Sequence, residues 1–341
     1  MFDVSVQVPR TDLSEEYLTQ LTQLGVDRLD FTNASSFPGV DEQGYPDLDA
    51  VLELKDRVRS YVLRVNRVTL PDIGQGFMSG ESEDMTPVEN SVRALEVFAE
   101  AGFPIARQRF AGSTFPGLTE RYDAVHRGGM VNRGERLDFD DESDDGGDWE
   151  AAVGGVKGAA SRPAPDELDA WWDRFFAVYD ELVPVADERG IKLGMHPSDT
   201  PNDHVPFDGI GLNRIIDRYP SPQVGIIYCV GTRAEAGGSS LVMDEINHFG
   251  RKDRIFLVHV RNVRGSLATA GAFEETLLDD GDLNIFRILQ ELEKVGFSGC
   301  INPDHLPDIT GDTEHGMISG GYGVGYLKAM TAALSQSRNP R

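Results

Sequence analysis

The sequence predicts an α/β protein: a (β/α)8 TIM barrel with an acidic insertion after strand four. Three observations carry the prediction. Eight short apolar runs alternate with amphipathic stretches, the pattern of parallel strands returned by helices. Several runs, such as Val224-Gly-Ile-Ile-Tyr-Cys229 and Ile255-Phe-Leu-Val-His259, are apolar almost throughout, as strands buried on both faces are. The length of 341 residues, 40% of them hydrophobic, suits a single barrel domain of roughly 250 residues plus insertions.

Phe2–Val8 forms the first strand, and Thr11 or Ser14 caps a helix that runs to Leu24 and stops at Gly25. Val26–Phe31 is strand two. Leu48–Val62 is a helix, and Tyr61–Leu70 rises into strand three. A helix with a Thr-Pro start covers Met85–Ala101, and Phe103–Phe110 is strand four. The rhythm then breaks between 112 and 164. Arg127-Gly-Gly129 and Arg133-Gly-Glu135 read as turns, followed by a run dense in Asp and Glu from Asp138 to Glu150. So long a stretch without periodicity predicts an irregular insertion, its Arg-Gly-Gly part a candidate lid and its acidic part a solvated loop.

Regular alternation resumes at Pro165–Glu188, a helix whose Trp171, Trp172, Phe175, Phe176 and Tyr179 read as core packing. Strand five (Ile191–Met195) precedes a helix at Phe207–Arg218, and strand six (Val224–Cys229) precedes one at Ser239–Phe249. Strand seven (Arg254–Arg261) leads to Asp282–Val295. Strand eight (Gly299–Pro303) leads to a last helix at Gly323–Leu334.

Composition excludes several function classes. The net charge of −25, from 57 acidic against 32 basic residues, repels phosphate and argues against nucleic acid or an anionic membrane as partner. Such acid enrichment, with Asp favoured and Lys scarce, suits a protein working in high salt. Two cysteines make no disulfide framework. No signal peptide or run of ~18 apolar residues is present, so a cytoplasmic protein is expected. A homo-oligomer is compatible with the sequence but not readable from it.

Chemistry-bearing residues collect at the ends of four consecutive strands: His196, Cys229, His259 and Asp304. In a β/α barrel that end carries the active site. Residues two apart share a strand face, so Leu257, His259 and Arg261 point together, as do Cys300, Asn302 and Asp304. Two imidazoles, a thiolate and a carboxylate suit Mn, Fe, Co or Zn rather than Ca or Mg. Such a set can close a structural zinc site or leave positions open on a catalytic metal. Because the ligands come from four separate elements, the catalytic reading is favoured. Arg261 and Asn262 are candidates to hold a substrate carboxylate. His305 is a candidate acid or base, and Tyr322, in a glycine-rich turn, is a candidate catalytic hydroxyl. Asp199, His204 and His315 lie nearby in sequence without a spacing argument.

At these residues the chain resembles the mannonate dehydratases, over about residues 190 to 335. The likeness is carried by Leu193-Gly-Met-His-Pro-Ser-Asp199, Tyr228-Cys-Val-Gly231, His259-Val-Arg-Asn-Val263, Phe273-Glu-Glu275, Pro303-Asp-His305 and Gly321-Tyr-Gly323. The resemblance implies a TIM barrel of the xylose-isomerase-like group with Mn2+ as the metal, Fe2+ or another divalent transition metal being the alternative. It also implies ligands His196, Cys229, His259 and Asp304, with His305 and Tyr322 catalytic. The implied reaction is loss of water from a sugar acid, D-mannonate giving 2-keto-3-deoxy-D-gluconate. The first half departs from the family at Arg67-Val-Thr-Leu-Pro71 and Arg107-Gln-Arg109-Phe110. A metal-dependent sugar isomerase or epimerase, and a non-catalytic barrel that binds sugar acids, stay open as alternatives.

Overall fold

The computed structural model describes residues 2–110, 119–137, 164–198, 207–312 and 316–337. Its strands, in chain order, are β1 (Asp3–Val8), β2 (Arg28–Phe31), β3 (Arg64–Thr69), β4 (Ile105–Arg107), β5 (Thr119–Val125) and β6 (Val131–Leu137). They continue with β7 (Lys192–Met195), β8 (Val224–Cys229), β9 (Ile255–His259), β10 (Asn262–Ser266), β11 (Ala272–Thr276) and β12 (Cys300–Asn302). Eight of them close a parallel barrel in the order β1-β12-β9-β8-β7-β4-β3-β2, as expected. The principal helices are α1 (Glu15–Leu24), α2 (Leu48–Ser60), α3 (Thr86–Glu100), α4 (Pro165–Arg189), α5 (Gly209–Arg218), α6 (Val230–Gly250), α7 (Ile285–Lys294) and α8 (Met317–Ser337). No described helix is long and apolar enough to cross a membrane.

Local chemistry explains the boundaries. Ser14, Asp47, Asp208 and Asn284 each accept a backbone N–H at a helix start, and Gly25 and Gly190 end α1 and α4 in the left-handed conformation. The aromatic residues of α4 pack into the main core, Phe175 and Tyr179 stacking at 4.4 Å, as their helical spacing predicts. Inside the barrel, Ile105, Ile227, Leu257 and Cys300 form a small separate apolar cluster. A Cβ placed on Gly194 would lie 2.9 Å from Ile227 Cγ1 and 3.6 Å from Ile105 Cγ2, so position 194 joins the same layer. Two residues further along each strand, on the same face, come Arg107, His196, Cys229, His259 and Asn302.

Four expectations are corrected. The stretch at 119–137 is a β-hairpin. It pairs through β6 with β11, and β11 with β10, in an antiparallel sheet of order β10-β11-β6-β5 beside the barrel mouth. Arg133-Gly-Glu135 is therefore strand rather than turn, Gly134 being opposite Tyr122, whose ring a Cβ would meet at 2.5 Å. Strand four is short because Pro104 has no N–H to pair and Phe103 turns into the core against Phe98. Helix α6 starts at Val230; a break at Gly238 (φ 71°) hides its first turns from a periodicity reading. The glycine-rich Gly320–Gly323 stretch is helical, not a turn. At Gly323 a Cβ would come within 2.6 Å of Leu306 and 2.9 Å of Pro303, so glycine there lets α8 lie close on the segment after β12. The acidic run from Asp138 to Glu150 lies outside the described residues.

Candidate active site

Strand register brings the predicted ligands together. Cys229 is level with His259, and His259 with Asn302, so Asp304 follows two residues beyond. Donor atoms of His196, Cys229 and His259 lie within 4.8 Å of one another, all buried. Asp304 completes the group, with Oδ2 at 3.6 Å from Cys229 Sγ and Oδ1 at 3.5 Å from His259 Nδ1. Asp304 sits at φ 61°, a left-handed conformation that costs a non-glycine residue. Its N–H donates to Asn302 Oδ1 at 2.8 Å and its Oδ1 accepts from Gln7 Nε2 at 2.6 Å, which fix the strained residue in place.

The donors' protonation follows from their surroundings. Burial pulls His259 down to about 4, keeping the imidazole neutral, and neither ring nitrogen has a hydrogen-bond partner. Buried polar atoms are nearly always satisfied, so two orphaned nitrogens on one ring aimed at a thiol and a carboxylate call for a ligand. His196 Nδ1 lies 2.6 Å from the Pro197 carbonyl, which accepts its proton and leaves Nε2 as the donor atom toward the cluster. Burial pushes the Cys229 thiol up to about 12, with Asp304 adding to the rise. Burial alone would raise Asp304 too, but His259, His305 and Arg261 outweigh it and hold the carboxylate well below its usual range. This N, N, S, O donor set, buried and partly unpartnered, fits a divalent transition metal.

Around the donors stands a second tier. Arg261 is 2% exposed and all five of its N–H groups are directed to protein partners. Nε donates to Asp304 (3.3 Å), Nη1 to Glu235 and to Glu275 (2.7 Å), and Nη2 to Thr232 Oγ1 (3.1 Å) and toward Cys229 (4.0 Å). Thr232 in turn donates to Cys229 Sγ at 3.2 Å. The expectation that Arg261 clamps a substrate carboxylate is therefore corrected: three protein carboxylates already occupy its fork. Asn262 is corrected likewise. Its amide donates to the carbonyls of Leu278 and Leu283 and accepts from the N–H groups of Val263 and Leu283, pinning the loop after β11.

His305 is half-exposed above the cluster. Its Nδ1 is 3.2 Å from Glu275 Oε2 and its Nε2 is 3.9 Å from Asp304 Oδ2. Burial would lower this imidazole, but Asp304 and the hydrogen bond to Glu275 raise it overall. Tyr322 is placed elsewhere. Its hydroxyl donates to Asp279 Oδ1 at 2.6 Å and accepts the Asp279 N–H at 3.2 Å, while Arg127 of the β5–β6 turn grips the same carboxylate. Burial and Asp279 push the phenol further above its ordinary value. Tyr322 thus fastens α8 to the accessory sheet, and this structure does not bring it among the donors. Asp199, His204 and His315 lie outside the described residues.

Sequence reasoning gave no role to Gln7, Thr232, Glu235 or Glu275. Glu275 had a signal, its place in the Phe273-Glu-Glu275 motif that carries part of the family likeness. Glu235, six residues past Cys229 on α6, had none.

The family model described as D-mannonate dehydratase (UxuA) matches residues 166–340, half of the chain. The chain belongs to that family. Membership makes it an enzyme of the hydro-lyase class. Mannonate dehydratase 2 of Halalkalibacterium halodurans is 24% identical over 84% of this chain and 87% of its own length. The mannonate dehydratase of Geobacillus thermodenitrificans is 33% identical over 48% of this chain and 46% of its own length. Among solved structures, mannonate dehydratase from Streptococcus suis serotype2 superposes with a TM-score of 0.76 at 20% identity, covering 99% of this chain and 94% of the other, which bears on the fold.

Proposed function

We propose that this protein is a metal-dependent dehydratase that converts D-mannonate to 2-keto-3-deoxy-D-gluconate and water. One observation carries the reading: four donors of mixed N, S and O character converge from β7, β8, β9 and the end of β12, with both nitrogens of His259 unpartnered. The family match supports the choice of substrate.

His196, Cys229, His259 and Asp304 would hold the ion, Mn2+ or alternatively Fe2+. The ion would supply Lewis-acid stabilisation of the negative charge that develops next to the substrate carboxylate. In the overall change the C2–H bond breaks, its electrons form a C2–C3 double bond, and the C3–O bond breaks. The hydroxyl leaves with a proton as water, and the enol rearranges to the 2-keto acid. His305 is the proton-transfer group. With Glu275 accepting from Nδ1, the neutral imidazole keeps its lone pair on Nε2 to take the C2 proton, and Glu275 and Asp304 stabilise the imidazolium that results. Arg261 positions both ends of this machinery, since it holds Glu275 on one side and Asp304 on the other. Gln7, reaching from the neighbouring strand β1, limits Asp304 to the orientation the donors need.

The direct test incubates the protein with Mn2+ and D-mannonate and follows formation of 2-keto-3-deoxy-D-gluconate. Turnover is expected with the ion and none after chelation. Activity confined to aldoses would overturn the reading in favour of an isomerase. A second expectation concerns Gly231, where a Cβ would come within 2.8 Å of Arg261 Cβ and Nε. Gly231→Ala should push Arg261 off its carboxylates and weaken Mn2+ binding roughly 10- to 100-fold, the range for groups that orient metal ligands. Titrating metal into the chelated protein checks it.

A further inference from the structure

Resting on the sugar-acid reading above, we propose that Arg67 is the residue that receives the substrate's carboxylate. Three arginines are buried in the described structure: Arg67 at 1%, Arg261 at 2% and Arg233 at 4% exposed. Arg233 is paired with Glu245 and Arg261 with three carboxylates. Arg67 makes no ion pair among the described residues. Nη1 donates to Thr69 Oγ1 at 3.1 Å, its only hydrogen bond there, and Nε is buried without any partner. A guanidinium carries five donors, so most of this fork is unused. Burying a cation without its counter-charge is strongly unfavourable unless something in the working state supplies one.

No carboxylate among the described residues comes within ion-pair distance of Arg67. Asp30, on the adjacent strand β2, is the nearby buried carboxylate, but its oxygens already accept from Ser5 (2.6 Å), Asn302 (2.6 Å) and Asn66 (2.7 Å). The placement points the other way, into the reaction site. Going round the barrel, β12, β9, β8 and β7 carry the metal donors, and β3 lies on the other half of the wall beyond β4. Arg67 pairs in register with Ile105 of β4, a member of the interior apolar cluster, and its Nη1 reaches Thr69, which is level with Arg107 in the layer of the donors, so the guanidinium is directed up the barrel toward them. Arg107, on the interior face of β4 and level with Thr69, brings a second positive charge to this wall. An open-chain sugar acid spanning this space would meet metal donors on one side and an unpaired, fork-shaped cation on the other. A carboxylate matches that fork bidentately, and no neutral sugar does.

The test uses the full chain loaded with Mn2+, as wild type, Arg67→Met and Arg67→Lys. Metal content, thermal midpoint, and calorimetric binding of D-mannonate and of its neutral polyol D-mannitol are measured beside turnover. Arg67→Met should keep its metal and its thermal midpoint, because it removes a buried cation that makes no ion pair among the described residues. It should bind D-mannonate about a hundredfold more weakly, the scale of a lost charged hydrogen-bonding partner, with D-mannitol unaffected. Arg67→Lys, charged but without the fork, should fall between. The assignment is overturned if Arg67→Met binds D-mannonate like wild type, or if its midpoint falls and both ligands weaken together. It is overturned as well if the wild type shows no preference for acid over polyol. A wild type that prefers the acid, loses that preference in Arg67→Met, yet dehydrates nothing would sink the proposed reaction and leave this assignment standing.

Discussion

Replacing His259 by alanine is expected to remove the metal and, with it, catalysis. His259 sits centrally among the donors, between Cys229 on β8 and Asn302 on β12. Outer groups that merely orient a ligand are worth roughly 10- to 100-fold, so loss of a direct donor should exceed that range in both metal affinity and kcat. Element analysis of the purified variant, with turnover on D-mannonate, reads both. The metal-free variant should stay close to the metal-free parent in stability, because no protein hydrogen bond is lost at either nitrogen. Full metal content in His259→Ala would remove the ion from this site altogether.

The second large effect concerns folding. Arg261→Met should destabilise the protein by roughly 3–5 kcal/mol, the cost of leaving buried charges uncompensated. Glu235, Glu275 and Asp304 all face the site it would vacate, and Glu235 and Glu275 are almost wholly buried. Adding Glu235→Gln to Arg261→Met should recover part of the loss, since it removes one of the stranded carboxylates. Denaturant melts of the two single variants and the double variant give the coupling directly. A midpoint equal to wild type for Arg261→Met would show that this network does not hold β9, β11 and α6 together. The same variant should bind metal more weakly, since Arg261 also steadies Asp304 and Cys229.

The four donors were legible because strand geometry is periodic. A parallel barrel places the ends of its strands on one rim, and alternate residues share one face. His196, Cys229 and His259, each at the end of an apolar run, and Asp304 just past one, could therefore be grouped without coordinates. Arg261 illustrates where that reasoning stops. Parity put its side chain on the interior face, correctly, but its partners Glu235 and Glu275 come from a helix and from a strand of a different sheet. Their arrival turns an apparent substrate clamp into a saturated structural centre. Arg67 is the converse. It stood inside a departure from the family pattern with no role assigned, and only the lack of an ion pair among the described residues marks it out.

By itself, then, the sequence determined the β/α alternation, the rim that bears the chemistry, and the identity of four metal donors as candidates, because those follow from local periodicity and residue type. Tertiary structure decided which buried charges are already neutralised. It turned the 119–137 segment into a sheet that fastens onto Glu275, tied Tyr322 to Asp279, and left Arg67 without an ion pair among the described residues. The physical reason is range. Periodicity is written within a few residues, whereas the compensation of a buried charge depends on carboxylates contributed from anywhere in the chain, such as Asp304 beside Gln7 across 297 positions.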